Sequence, residues 1–243
     1  MRFVVWNCNM GLAKKWVYLE ELEPDIAIIS ECADPRKENS KLNKSAYSGA
    51  VWVGKNSNKG LGVFTFGDYQ CELHPSRDPV WQYFLPVSIT GPVKIDLLGV
   101  WAFNRRTTTD AKREKAPTRA AIKYYADFLS GDLAVVAGDF NNTAKWDKPN
   151  KPSNLISMVD DLAGIGLVSA YHEAKGYSYG EEPEPTIFWG KGRREYHIDY
   201  CFVPDAWRGS SLVVEVGDKD TWMPISDHAP ISIDYPVELM GSE

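Results

Sequence analysis

Strand-length apolar runs recur along this chain, and helical patterns do not alternate with them. Residues 2–6 and 25–30 (Asp-Ile-Ala-Ile-Ile-Ser) read as buried strands. Residues 49–54, 61–66, 80–90 and 93–101 follow as strands rich in Val, Ile, Phe and Trp, and 133–137, 196–203, 212–217 and 230–235 continue the series. Helical spacing is confined to three stretches. In 14–22, Trp16, Leu19 and Leu22 share a face before Pro24 stops the helix. In 118–129, which follows Pro117, Ala121, Ile122, Tyr125 and Leu129 do the same, and 154–164 is the third. A doubly wound parallel sheet needs a helix after nearly every strand. This pattern instead predicts an α/β chain of mainly antiparallel, mixed sheets packed on each other with helices outside.

The 243 residues fit one domain spanning 1–243, with no internal repeat and no low-complexity linker. Apolar residues make up 44%, enough for a substantial core and too many for a disordered chain. The loops at 34–48, 104–117, 141–153 and 172–194 are long and polar, and loops of that length inside a compact domain are more often functional than idle.

Charge narrows the partners. With 27 Lys and Arg against 33 Asp and Glu, the formal charge is -6. A protein that wraps a long duplex normally carries a basic excess, because phosphate neutralisation supplies most of its affinity. Nucleic acid can therefore be held here only by local basic patches, and the alternative is a small substrate. Cys8, Cys32, Cys71 and Cys201 have no metal-binding spacing and lie in or beside apolar stretches, as reduced buried thiols do. The sequence has no apolar run long enough to cross a membrane. The N-terminus enters a strand at once, leaving no room for a secretory signal. A cytoplasmic monomer without a transmembrane segment is expected.

Polar groups recur where apolar runs stop. Asn7 follows Phe3-Val4-Val5-Trp6, and Glu31 follows Ile26-Ala27-Ile28-Ile29-Ser30. Asp139 and Asn141 follow Leu133-Ala134-Val135-Val136-Ala137-Gly138. Asp199 sits in Tyr196-His197-Ile198-Asp199-Tyr200, and Asp227-His228 precede the run from Ala229. Taken singly, each has an ordinary explanation: an Asp or Asn after a strand makes a turn, Glu31 is a solvated carboxylate, and Asp227-His228 is a surface pair. Strand ends on a rigid sheet nevertheless hold side chains more accurately than loops do, and these recur in a fixed order.

That order is Trp6-Asn7-x-Asn9, Pro24-Asp25-(five residues)-Glu31, Gly138-Asp139-Phe140-Asn141, Ile198-Asp199-Tyr200 and Ser226-Asp227-His228. It resembles the endonuclease/exonuclease/phosphatase superfamily, which includes exonuclease III-type repair enzymes, pancreatic-type deoxyribonucleases, neutral sphingomyelinases and inositol polyphosphate 5-phosphatases. The resemblance runs from residue 6 to residue 228. It implies a four-layer α/β sandwich, two packed sheets flanked by helices, and a phosphoesterase dependent on Mg²⁺ or Mn²⁺. It also implies roles: Glu31 as main metal ligand, Asn7 and Asn9 as further ligands or orienting amides, and Asp227 as an additional carboxylate. Asp139 would activate the attacking water, and Asn141 and His228 would donate to the phosphoryl group. Asp199 would hold His228 charged and oriented. Hard cations of this kind take oxygen ligands and keep several waters, so one or two carboxylates suffice.

Two departures stand out. Many nucleases of the superfamily carry Asp where this chain has Asn9. The superfamily also places His or Tyr on the strand before its Asn-containing loop, whereas the matching stretch here is Val100-Trp101-Ala102-Phe103-Asn104, and Trp101 cannot act as an acid. Asn104 remains available to reach the phosphate.

Basic residues cluster at Arg105 and Arg106, at Lys145, Lys148 and Lys151, and at Lys191, Arg193 and Arg194. Trp146, Phe188, Trp189 and Trp222 lie in or near the same loops. Cations interleaved with aromatics suit a phosphate-rich substrate with stackable bases, so Trp101, Asn104, Arg105, Arg106, Lys145, Trp189, Arg193, Arg194 and Trp222 are the candidate substrate contacts. A nuclease acting on DNA or RNA is the favoured reading. A phosphatase or phosphodiesterase of a small or lipid phosphoester is the alternative, supported by the Trp-Asn-x-Asn opening that inositol 5-phosphatases share. Those enzymes also carry Pro-x-Trp-Cys-Asp-Arg, where this chain has the nuclease-like His197-Ile198-Asp199-Tyr200. A non-catalytic domain that kept the fold would have lost its ligands, and here they are present.

Overall fold

The computed structural model describes residues 1–37, 40–102, 116–209 and 211–236. Along the chain run β1 (Arg2–Asn7), α1 (Leu12–Glu20), β2 (Ile26–Cys32), β3 (Gly49–Asn56), β4 (Lys59–Thr65), β5 (Gln70–Leu73), β6 (Phe84–Thr90) and β7 (Ile95–Trp101). They are followed by α2 (Pro117–Tyr124), β8 (Ala134–Asp139), α3 (Leu155–Ala163), β9 (Leu167–Ser169) and α4 (Ala170–Lys175). The last strands are β10 (Ile187–Phe188), β11 (Arg194–Tyr196), β12 (Asp199–Pro204), β13 (Val213–Val216) and β14 (Ile231–Asp234).

Two six-stranded sheets form, in the orders β13-β14-β1-β2-β4-β3 and β5-β6-β7-β8-β12-β9, with β10 and β11 as a separate hairpin. Each sheet is mixed: β1 pairs parallel with β2 and β7 parallel with β8, and their other pairings are antiparallel. Because side chains alternate along a strand, each sheet buries both faces. Phe3, Val5, Ile26 and Ile28 of the first sheet meet Leu97, Val135, Ala137 and Val203 of the second in the central core. On the opposite face of the first sheet, Val4, Trp6, Ala27 and Ile29 pack under Leu12, Trp16 and Leu19 of α1. On the outer face of the second, Leu98, Val136 and Phe202 pack under Ile122 of α2 and Leu155, Met158 and Leu162 of α3. The result is the α/β sandwich of helix, sheet, sheet and helix that the sequence predicts, each fully buried aliphatic side chain contributing about 1.5–3 kcal/mol.

Several boundaries differ from expectation. The strand expected from residue 80 begins at Phe84, because Asp78 accepts from the backbone N–H of Val80 (2.8 Å) and holds 78–81 as a turn. The helix expected over 118–129 starts on Pro117, whose missing N–H and fixed φ suit a first helical position. It ends at Tyr124, and Phe128–Ser130 forms a separate 3-10 turn. The loop expected at 172–194 holds most of α4 and all of β10. No helix among the described residues is long and apolar enough to cross a membrane.

Candidate active site

The polar residues that end the apolar runs converge at one end of the sandwich. β1 and β2 are parallel with Asn7 opposite Ser30, so Asn7 and Glu31 emerge from neighbouring strand ends. β8 and β12 are antiparallel with Asp139 directly opposite Asp199. Directly opposed residues of a ladder project to the same face, so the two carboxylates are neighbours. Contacts then cross between the sheets. Asn7 Nδ2 donates to Asp139 Oδ2 (2.9 Å), and Asp199 Oδ2 lies 2.8 Å from His228 Nδ1.

Local backbone devices aim these groups. Gly138 has φ +145°, and a Cβ there would lie 1.8 Å from the carbonyl oxygen of Val100, so only glycine lets β7 and β8 come together just before Asp139. Glu31 is the extra residue of a β-bulge: Ser30 pairs with Leu61 and Cys32 with Gly60, and Glu31 turns out of the ladder at φ +61°. Bulges beside functional sites re-aim a side chain in this way, and the left-handed conformation is one that a non-glycine residue holds only when its surroundings impose it. Asn141 is likewise left-handed (φ +47°), which brings its backbone N–H to Asp139 Oδ1 (2.8 Å) and its amide to Asp139 Oδ2 (3.0 Å).

The loop carrying His228 is tied down on both sides. Trp6 Nε1 donates to the His228 carbonyl (3.1 Å), Ser226 Oγ to the Asn7 carbonyl (2.8 Å), and the His228 N–H to Ser226 Oγ (3.2 Å). The β10–β11 hairpin bridges to the same loop, Ile187 opposite His228, with the Phe188 N–H donating to the Asp227 carbonyl (2.8 Å). Thr186, fully buried, accepts from the N–H groups of Ile198 and Asp199 (3.0 and 3.1 Å) and so sets the start of β12.

Asp139, Asp199 and His228 are all buried, and each presents one atom within 4.8 Å of the others'. Burial pushes the Asp139 carboxyl up to about 7, the Asp199 charge across the ladder pushes the same way, and His228 and the Asn7 and Asn141 donors oppose them. Burial alone would depress His228. The field of Asp199 and its hydrogen bond, with Asp139 and Asp227 behind them, override burial and raise the imidazole to about 9. In this environment the protonated imidazole, a donor at both ring nitrogens, is the favoured form of His228. Among the described residues this cluster has the spacing of a metal site, and the same three groups form a hydrogen-bonded unit.

Further oxygen donors lie on the other side of the site. Glu31 is partly exposed and Asp227 is exposed. Lys15 feels the charge of both carboxylates and donates to the carbonyl of Cys8. Burial lowers the Lys15 pKa, and the acidic groups partly offset that. Lys59 Nζ lies 2.7 Å from Glu31 Oε2. Asn9 is exposed, and its N–H donates to Asn7 Oδ1 (3.0 Å). Burial pushes the flanking Cys8 thiol up to about 12 and the Cys32 thiol well above its ordinary value, so neither supplies a thiolate. The donor set is carboxylate and amide oxygen, which suits a hard divalent cation.

The proposed substrate contacts divide. Trp101 and Trp222 are expected against substrate, but both are buried: Trp101 packs in the central core, and Trp222 stands edge-on to Trp6 at 5.3 Å. Trp101 ends β7 and Trp222 ends a short helix over Lys219–Trp222, and both bury their large rings where those elements face the core. Trp189 is 54% exposed with Arg194 over its ring at 5.4 Å, and Arg193 and Lys145 are exposed. Trp146 stands edge-on to Tyr196 at 4.8 Å, linking the 141–153 loop to β11. Asn104, Arg105 and Arg106 lie outside the described residues. Sequence reasoning missed Lys15, Lys59 and Thr186. A lysine in a tight hairpin or on a helix looks like a solvated surface charge until the fold brings its carboxylate near.

No protein-family model matches the sequence, and no curated relative does. Solved structures do match over nearly the whole chain. The 3′ phosphatase NExo from Neisseria, bound to a product DNA hairpin, superimposes with a TM-score of 0.70 at 20% identity, covering 97% of this chain and 99% of its own. An endonuclease/exonuclease/phosphatase from Beutenbergia cavernae has a TM-score of 0.62 at 14% identity, covering 96% of this chain and 70% of its own. The chain has the endonuclease/exonuclease/phosphatase fold. An AP endonuclease from Archaeoglobus fulgidus shares it with a TM-score of 0.70 at 13% identity, covering 98% of this chain and 100% of its own. Identity this low leaves the site to be argued from its own residues, and in this fold those residues sit where the strands of both sheets end together.

Proposed function

We propose that the protein is a divalent-metal-dependent phosphodiester hydrolase acting on nucleic acid. The observation that carries this reading is the junction of a buried Asp139–Asp199–His228 unit with a bulged, outward-aimed Glu31 at the same end of the sandwich. Glu31, with Asn7, Asn9 and Asp227 around it, would hold Mg²⁺ or Mn²⁺. Such an ion supplies charge stabilisation to the phosphoryl oxygens. Asp139 orients the attacking water and takes its proton, which a carboxylate raised to about 7 does near neutral pH. His228 and Asn141 donate to the phosphoryl oxygens, and Asp199 keeps the imidazole charged and facing them. No protein nucleophile is needed, because water attacks in line and the protein contributes position and charge.

Nucleic acid is favoured over a small phosphoester by the exposed Trp189 and Arg194 stack and the exposed Arg193, on a hairpin bonded to the His228 loop. The DNA product bound to the structurally similar Neisseria phosphatase is consistent with it. The test is turnover of a panel in Mg²⁺ and in Mn²⁺: 3′-phosphorylated DNA, duplex with an abasic site, single-stranded DNA, RNA, inositol phosphates and sphingomyelin. Activity should vanish in chelator and return with either ion. Full activity after exhaustive chelation, or restoration by Zn²⁺ alone, overturns the metal assignment. Turnover confined to inositol phosphates or sphingomyelin overturns the nucleic-acid reading.

A further inference from the structure

Lys59 is an unusual neighbour for a carboxylate expected to hold a metal. It opens β4 just after the β3–β4 turn, where it pairs with Asn56, and the next residue, Gly60, pairs with Cys32 beside the Glu31 bulge. The backbone therefore fixes Lys59 against the bulge, and its four-carbon stem lets the ammonium swing. The ammonium lies 2.7 Å from Glu31 Oε2 and 5.5 Å from the centroid of the Trp101 ring. The pair is only partly solvated, with side-chain exposures of 33% for Lys59 and 16% for Glu31.

We propose that Lys59 is a tethered cation that occupies Glu31 until a divalent ion takes the carboxylate, and that the displaced ammonium then binds the substrate phosphate from above Trp101. This deepens the metal-dependent reading of the same site and rests on it. An ammonium and a divalent ion compete for one carboxylate and repel each other across it. The ammonium stands 5.5 Å from the centroid of the Trp101 ring while it pairs with Glu31, so the same ring is a cation–π neighbour within reach when the carboxylate is taken. The balance of charge points the same way. Among the described residues of the site, the formal charges of Glu31, Asp227, Asp139 and Asp199 exceed those of Lys15, Lys59 and a protonated His228 by one, so an added divalent ion leaves one positive charge that a phosphate can neutralise. Lys15 is held by backbone carbonyls, whereas Lys59 is held by the carboxylate the ion needs.

The test compares wild type with Lys59→Met, which keeps the length and apolar stem and removes the charge, and with Lys59→Arg, which keeps the charge. Mn²⁺ affinity is measured calorimetrically without substrate. Lys59→Met should bind Mn²⁺ roughly three- to tenfold tighter, the scale of losing one partly screened ion pair, and Lys59→Arg should stay near wild type. The melting temperature of Lys59→Met should fall below wild type in chelator, and the gap should close in saturating Mn²⁺. KM for an oligonucleotide should rise in Lys59→Met. Unchanged or weaker Mn²⁺ binding in Lys59→Met overturns the competition, and tighter Mn²⁺ binding with an unchanged KM overturns the phosphate role. If wild type itself binds no Mn²⁺, the metal-dependent reading fails and takes this one with it, a result distinct from wild type and variant binding alike.

Discussion

The two sides of the site are built on opposite principles. Asp139 and Asp199 are buried on strand ends, His228 is buried on the loop before β14, and the three are hydrogen-bonded across both sheets. Glu31 and Asp227 face outward, balanced by lysines on long, adjustable stems. Removing one partner of a buried charge pair strands the other, at a cost of about 3–5 kcal/mol. An exposed ion pair contributes about 0–1 kcal/mol and exchanges one ion for another at little cost. The buried side therefore keeps one geometry, and the open side is the one where the proposed exchange of a lysine for a metal would cost little.

The sharpest break of that comparison is at the buried side. Asp139→Asn and His228→Ala should each lower kcat by about 10²–10⁴-fold, the usual loss when a positioned proton-transfer or donor group is removed, with KM changed little. Glu31→Gln should also lose activity, but raising Mn²⁺ should recover part of it if the proposed role of that residue, affinity for an exchangeable ion, holds. Asp139→Asn should not recover at any Mn²⁺ concentration. Near-normal kcat in His228→Ala would remove the imidazole from the mechanism, and Mn²⁺ rescue of both carboxylate variants would erase the distinction between the two sides.

Next in size is the pH dependence. His228 is raised to about 9 through Asp199. Its interaction with Asp199 therefore contributes stability that is fully present below the unfolded value of about 6.5 and is lost as pH rises through about 9. Asp199→Asn removes that support and lets burial pull the imidazole down. The lowered imidazole is charged far less often than the wild type's at about pH 8, and the deficit is smaller at about pH 6. The kcat ratio of wild type to Asp199→Asn should therefore widen from pH 6 to pH 8, and the stability difference should shrink above pH 9. A ratio independent of pH would mean that Asp199 only orients the ring.

Much of this is legible in the sequence, and what escapes it shares a physical character. Asn7, Glu31, Asp139, Asp199 and His228 can be found because each interrupts an apolar run, and an apolar run fixes a strand whatever its neighbours are. β5 escapes because Gln70-Cys71-Glu72-Leu73, a mostly exposed edge strand, alternates over only four residues, too few to mark a strand. The Glu31 bulge is invisible because a bulge is a relation between two strands, in this case Ser30 to Leu61 and Cys32 to Gly60. Lys59 escapes for the same reason, since nothing in Asn56-Ser57-Asn58-Lys59 says which carboxylate lies across the turn. Trp101 and Trp222 read as substrate contacts from their place beside polar loops, but burial depends on which face of the sheet or loop they occupy. Local pattern marks the strand ends, and pairing decides what meets there.

The smallest expected effect lies farthest out on the open side. Arg193 and Arg194 are exposed on the β10–β11 hairpin, Arg194 resting over Trp189, while the hairpin backbone is bonded to the His228 loop through Ile187 and Phe188. Side chain and backbone thus reach the site by different routes. Replacing both arginines by Glu leaves the backbone bridge intact and removes only remote interactions with phosphates, which hold ground and transition states alike. KM for an oligonucleotide should rise by roughly tenfold, and the slope of log K against log salt should become shallower by about 0.7–0.9 for each phosphate no longer neutralised. Hydrolysis of a generic small phosphodiester should stay almost unchanged, because it never reaches the hairpin. Equal loss on both substrates would place the arginines at the reacting phosphate and move them to the buried side of the comparison. No loss on the oligonucleotide, with the protein folded, would leave the open side without a hold on nucleic acid and favour a small phosphoester as the substrate.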